Sequence, residues 1–334
     1  MRIGPISRHP AEAAPCRADA DCGHPACAHR STTPAVLSGG AHSLAVVDNW
    51  AQRPVGWSFG DVVGVAVSAD DEVFVFTRGA RPVLVFDREG RFLRWWGDTY
   101  FTMPHGIAVA PDGSVCCADI ADHTVKRFSP SGELLQLLGA PFENSPKLGG
   151  APFNRPTHFS VAPSGDYYIT DGYGNANVHV FSPEGAHRFS WGSPGSDPGQ
   201  FRAPHSIVFD GDGRLAVCDR GNDRVQFFDL EGTFLEEWTG LHQPNDLVFA
   251  PDGRVIICEF EHRLGVWSAE GALLQRWGDD GEGLGAGQFI SPHGLAIDSQ
   301  GSLYVGDVTD IYRGIDRGSR NLQKLVPVAP EGEG

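Results

Sequence analysis

His105-Gly-Ile-Ala-Val109, Pro111-Asp-Gly113, Val115-Cys-Cys-Ala-Asp119, Thr124-Val-Lys-Arg-Phe128, Pro130-Ser-Gly132 and Leu134 to Gly139 follow one another in one short region. The stretch alternates short apolar, β-branched segments with glycine-bearing turns, the pattern of four antiparallel strands joined by tight loops. The same order recurs along the chain. Counterparts of His105 fall at Val63, Thr157, His205, Asn245 and His293, a period of about forty to fifty residues that marks the blades of a propeller. Turn chemistry repeats with it, at Asp112-Gly113, Asp212-Gly213 and Asp252-Gly253.

The last copy is incomplete. Gly301-Ser-Leu-Tyr-Val-Gly-Asp307 gives a second strand, an insertion runs from Thr309 to Asn321, and Leu322-Gln-Lys-Leu-Val-Pro-Val328 gives a third. The fourth must come from elsewhere. Ser43-Leu-Ala-Val-Val-Asp-Asn-Trp50 precedes the first complete copy and belongs to no other. Paired beside the last blade, it would close the ring and remove two open sheet edges. The chain therefore reads as all-β: a six-bladed propeller over residues 38–328, a disordered Cys/His-containing tail over 1–37, and a short disordered end over 329–334.

Composition narrows the function. Acids outnumber bases, 42 to 26, for a net charge of −16, which argues against nucleic-acid binding. No apolar run is long enough to span a bilayer, and Met1-Arg-Ile-Gly-Pro-Ile-Ser-Arg-His-Pro10 lacks an apolar signal core, so a cytoplasmic location is expected. Cys116, Cys117, Cys218 and Cys258 sit in second strands and read as buried thiols. Cys16, Cys22 and Cys27, with His24 and His29, lie in the tail at a spacing that matches no common zinc module.

The chemistry is carried by the slot that His105 occupies. It reads Met103-Pro-His105-Gly-Ile, Ala203-Pro-His205-Ser-Ile and Ser291-Pro-His293-Gly-Leu in copies two, four and six. The intervening copies put Val63, Thr157 and Asn245 there. In a closed ring of six, alternate blades lie about 120° apart, so the three imidazoles would converge on the axis. Three imidazoles with a free fourth position suit zinc or a similar transition metal. An isolated histidine ahead of a strand is ordinarily structural; strict alternation is not explained that way. His123, His158, His179, His242 and His262 fall outside the slot. Second strands run antiparallel to first strands, so residues just after them should ring the histidines. Among these are Arg78, Tyr173 and Arg220, which would make a cationic mouth suited to a small substrate bearing a carboxylate. The acids ending second strands, Asp119, Asp171, Asp219 and Asp307, read as acceptors for turn amides.

These motifs carry a resemblance. Residues 42–328 resemble NHL-repeat proteins. Thr77-Arg78-Gly79, Pro104-His105-Gly106, Asp171-Gly-Tyr173-Gly-Asn175, Pro204-His205-Ser206, Asp219-Arg220-Gly-Asn222 and Pro292-His293-Gly294 resemble the site motifs of peptidyl-α-hydroxyglycine α-amidating lyase, also called peptidylamidoglycolate lyase. The resemblance implies a catalytic zinc on His105, His205 and His293, with Tyr173, Arg220 and Arg78 in catalysis and substrate orientation. It implies cleavage of a carbinolamide to an amide and glyoxylate or a similar oxo acid. Two positions depart from the pattern: Ser291 replaces a methionine that lines the family's site, and Gly294 replaces an aspartate that helps hold an axial calcium. No monooxygenase domain accompanies the motifs in this chain. A metal-dependent hydrolase of the lactonase or esterase type could use the same tripod, and a non-catalytic NHL scaffold would need none.

Overall fold

The computed structural model describes residues 34–39 and 42–328. The cysteines and histidines of the tail, and residues 329–334, lie outside the described residues. Within them the chain forms six antiparallel sheets. Blade two is the opening stretch realised: Pro104–Val109, Val115–Asp119, Thr124–Phe128 and Leu134–Leu138. Blades one, three, four and five repeat it over 62–96, 158–191, 204–238 and 244–277. The Asp-Gly turns between first and second strands place Gly113, Gly213 and Gly253 at φ of 84°, 79° and 84°, a conformation glycine adopts without a Cβ clash.

Blade six closes the ring. Pro292–Ile297, Leu303–Asp307 and Leu322–Pro327 take Leu44–Val47 as their fourth strand, with Leu44 opposite Pro327 and Val47 opposite Lys324. The sheet extends further back than residue 38: Val36–Leu37 pairs outside Leu44–Val47 as a fifth strand. Leu44 and Val46 are buried, which contributes about 1.5–3 kcal/mol for each side chain.

Six apolar clusters fill the seams between neighbouring blades, one per seam. Phe76 and Val85 of blade one meet Ile107 and Val115 of blade two. The sequence runs round to Tyr304 and Leu322 of blade six, which pack with Val65 and Phe86 of blade one. Middle strands are buried on both faces, whereas fourth strands alternate, as in Phe92–Trp96. The first strands therefore line the axis and the fourth strands form the rim. Cys116, Cys117, Cys218 and Cys258 are buried free thiols, and burial pushes Cys116 up to about 12. Among the described residues, no helix is long and apolar enough to cross a membrane.

Candidate metal centre

Each histidine slot lies at a fault in the ladder. The register between first and second strands shifts between Pro104 and Ile107, Pro204 and Ile207, and Pro292 and Gly294. A bulge of this kind turns a side chain out of the plane of its sheet. Here it turns three imidazoles toward the axis. Their ring centroids stand 4.8 Å apart in all three pairs, and their ligand atoms lie within 4.8 Å of one another. All three side chains are buried.

The intervening blades set the tautomer. His105 Nδ1 donates to the Thr157 carbonyl, His205 Nδ1 to Asn245 and His293 Nδ1 to Val63, each at 2.7 Å. These acceptors are the three non-histidine slots. A carbonyl can only accept, so each Nδ1 carries the proton and each Nε2 presents its lone pair. Burial holds His105, His205 and His293 below the ordinary imidazole range, reinforced by their mutual repulsion and by Arg78 and Arg220; His293 falls to about 3. All three are neutral near pH 7, the state a metal requires.

Tyr173 completes the cluster. Its hydroxyl stands 3.0 Å from Nε2 of both His105 and His205, and Arg220 Nη1 donates to it at 3.1 Å. One phenolic proton faces two lone pairs, so at any instant one Nε2–oxygen contact has no hydrogen between its atoms. That electron-rich surplus, converging from buried neutral donors, fits a cation. The phenol itself does not have the lowered pKa expected of a proton acceptor. Burial raises it, outweighing Arg220, Arg78 and Arg155, so any lowering has to come from positive charge at the tripod.

Arg78, Tyr173 and Arg220 line one cavity of about 460 Å³ over the histidines, as their strand-end positions imply. Arg78 Nε donates to the Pro104 carbonyl at 3.2 Å, and its guanidinium lies 3.9 Å from Asp61. That carboxylate is already engaged by the amides of Thr309 and Asp310. Arg220 stacks on Phe260, 4.7 Å from the ring centroid. Two further lining residues escape sequence reasoning. Arg155, in the Arg-Pro-Thr157 slot motif, brings its guanidinium to 5.6 Å from the Tyr173 ring; its position two residues ahead of a slot, like that of Met103, was the available signal. Tyr312 comes from the helix Asp310–Arg313 inside the last-blade insertion and packs against Phe260.

The two departures from the motif pattern have structural readings. Ser291 is buried, its amide donating to Asp307, and it does not line the cavity, whereas Met103 does. At Gly294 a Cβ would stand 2.6 Å from the Gly64 Cα, so this backbone spacing admits no aspartate there. Asp246, beside the axis in blade five, already accepts from the Leu247 and Leu295 amides. The residues present do not fit the calcium that the resemblance implies. The strand-end acids act as acceptors: Asp119 takes the amides of Thr102, Met103, Ala121 and Asp122, and Asp219 takes Arg202 and Arg224.

A ring of six NHL-type blades, alternate members of which aim histidines at the axis, is the class that fold and site define. Human NHL repeat-containing protein 3 is 33% identical over 303 residues, covering 84% of this chain and 83% of that protein. The chain belongs to that NHL-repeat family. Peptidyl-alpha-hydroxyglycine alpha-amidating lyase 2 of Drosophila melanogaster is 25% identical over 311 residues, 79% of this chain and 72% of its own length. A family model described as a seven-bladed β-propeller lactonase matches residues 142–273, a minority of a chain that has six blades. Among solved structures, a streptogramin B lyase superposes with a TM-score of 0.60 at 15% identity, covering 84% of this chain and 97% of that one, a likeness of fold alone.

Proposed function

We propose that this protein is a zinc-dependent carbon–nitrogen lyase acting on carbinolamides of the peptidyl-α-hydroxyglycine type. The observation that carries the reading is the Tyr173 hydroxyl, held between two histidine Nε2 atoms and Arg220. The reaction converts an N-acyl-α-hydroxyglycine to an amide and glyoxylate. The hydroxyl O–H bond breaks, the carbonyl forms, the C–N bond breaks, and the departing nitrogen gains a proton. Zinc, when bound by His105, His205 and His293, supplies Lewis acidity toward the substrate hydroxyl. Tyr173 takes the hydroxyl proton and returns it to the leaving nitrogen. Arg220 holds the phenol oxygen in place and favours its anionic form. Arg78, only loosely paired with Asp61, receives the substrate carboxylate. The kinship with amidating lyases supports this chemistry.

The test is glyoxylate release from N-acyl-α-hydroxyglycines by the purified protein, alongside its metal content. Tyr173→Phe is expected to keep its zinc and lose about 10²–10⁴-fold in turnover. Arg78→Ala is expected mainly to raise KM. A second reading, metal-dependent hydrolysis of a lactone or ester, is favoured by the lactonase-type match over residues 142–273. Turnover of a lactone panel without glyoxylate release would select it. A purified protein without bound metal would favour a non-catalytic scaffold.

A further inference from the structure

The cavity over the tripod does not end at Tyr173. A second hollow of about 460 Å³ adjoins it and shares Tyr173 and Ala203 in its wall. Buried Ala176 and Phe201 and exposed Leu148 and Pro194 give it an apolar wall, and exposed Lys147 and Arg202 stand at its rim. The walls of both hollows contain no aspartate or glutamate.

That charge arrangement is unusual for this chain, which carries a net charge of −16. Carboxylates are plentiful, and most described cations have one within 4.0 Å, as Arg94 has Glu72 and Arg224 has Asp219. Six described cations appear in no such pair: Arg53, Arg81, Lys147, Arg155, Arg202 and Arg220. Arg53 and Arg81 lie over the rings of Phe59 and Trp57, at 4.4 and 3.5 Å. The other four surround the tripod mouth and its adjoining hollow. Arg220 is engaged by the Tyr173 oxygen and Phe260. Lys147, Arg155 and Arg202 are exposed, and no acid among the described residues pairs with them. Like charges gathered without counter-charges raise the local potential and draw anions into the site.

A monocarboxylate substrate uses Arg78 alone. From the three remaining cations and the apolar wall between them, we infer that the acyl part of the substrate lies in the Lys147–Arg202 hollow and bears at least one further carboxylate, as an acidic peptide does. Apolar carbons would cover Leu148 and Phe201, while the carboxylate meets Lys147 or Arg202 at the rim, or Arg155 where the first cavity adjoins it. The inference rests on the lyase reading for the orientation of the substrate, not for the anion site itself.

Two pairs of ligands separate these claims. N-acetyl-Glu-Gly and N-acetyl-Gln-Gly differ only by a charge and cannot react; their α-hydroxyglycine counterparts can. Calorimetry on the full-length metal-bearing protein is expected to show the glutamyl ligand binding about fivefold or more tighter at low ionic strength. The ratio should shrink as salt is raised to about 0.5 M. It should also fall toward one in at least one of Arg155→Gln, Lys147→Gln and Arg202→Gln, all at exposed positions. A ratio of one or less in the unmodified protein overturns the inference, as does a ratio that none of the three changes moves. Equal glyoxylate release from both hydroxylated ligands, without a binding preference, would leave the lyase reading standing and remove the acidic-acyl one. A charge-dependent binding ratio without glyoxylate release would do the reverse.

Discussion

Whether three imidazoles make a metal site is decided by which ring nitrogen faces the axis, and here backbone atoms decide it. Thr157, Asn245 and Val63 contribute their carbonyls, not their side chains, to His105, His205 and His293. This explains how three unlike residues fill the alternate slots. It also explains why sequence could place the histidines but not their partners, since a carbonyl leaves no mark in residue identity. The glycine after His105 belongs to the same device. A Cβ on Gly106 would stand 2.5 Å from the Thr157 carbonyl oxygen, so Gly106→Ala must displace the acceptor that orients His105. Metal affinity is expected to fall about 10–100-fold, the range for losing an orienting partner, as read by zinc competition with a chromophoric chelator. Gly113→Ala makes the control. It has a positive φ but open space around its Cβ position, so it should cost about 1–2 kcal/mol of stability with metal affinity unchanged. Equal metal affinities in the two variants would mean that the carbonyl does not tune the site. Tyr312 was not legible because it reaches the mouth from the last-blade insertion, which has no counterpart in the other blades; Arg155 stands in register with Met103, but the repeat does not say that a long side chain there turns over the Tyr173 ring.

Among the elements, the ring closure was legible and its extent was not. Leu44–Val47 stands out in sequence because it alternates apolar residues and has no blade of its own, and it pairs where that reasoning puts it. Val36–Leu37 is too short for any periodicity to register, yet it covers the outer edge of that strand. Closure has further anchors: Trp50 Nε1 donates to the Arg88 carbonyl, and its ring packs on Tyr304 at 4.9 Å. Removal of residues 1–33 leaves all of these contacts in place and is expected to leave the melting temperature within about 2 °C, a change of under about 1 kcal/mol. Removal through residue 48 strips the fourth strand from blade six and exposes the edge of Leu322–Pro327. The burial lost at Leu44 and Val46 alone, about 3–6 kcal/mol, predicts a drop of roughly 5–12 °C. Similar melting of the two truncations would show that the strand is an ornament on a ring already closed by its seams.

Across the whole molecule, the tripod joins blades two, four and six, which have no common seam. Each imidazole is also tied by its Nδ1 hydrogen bond to the next blade round, so all six blades contribute to one cluster at the axis. A metal bound there should stabilise the native ring, because the unfolded chain cannot bring residues as distant as His105 and His293 together. Binding linkage gives about 2.7 kcal/mol when free metal is a hundredfold above its dissociation constant, enough to raise the melting temperature by roughly 4–5 °C in a domain of this size. A protein of net charge −16 also attracts cations without specificity, so the measurement needs a comparison that surface binding would pass and a tripod would fail. Magnesium supplies one, since it prefers oxygen ligands and octahedral geometry over three imidazoles. His205→Ala supplies the other, since it removes one ligand and leaves the surface charge as it was. After chelation and repletion, zinc is expected to raise the melting point of the unmodified protein, and magnesium at equal concentration is not. In His205→Ala most of the zinc effect should vanish. A zinc shift of the same size in the variant, or one matched by magnesium, would place the binding on the acidic surface and leave the three histidines as a packed cluster at the axis.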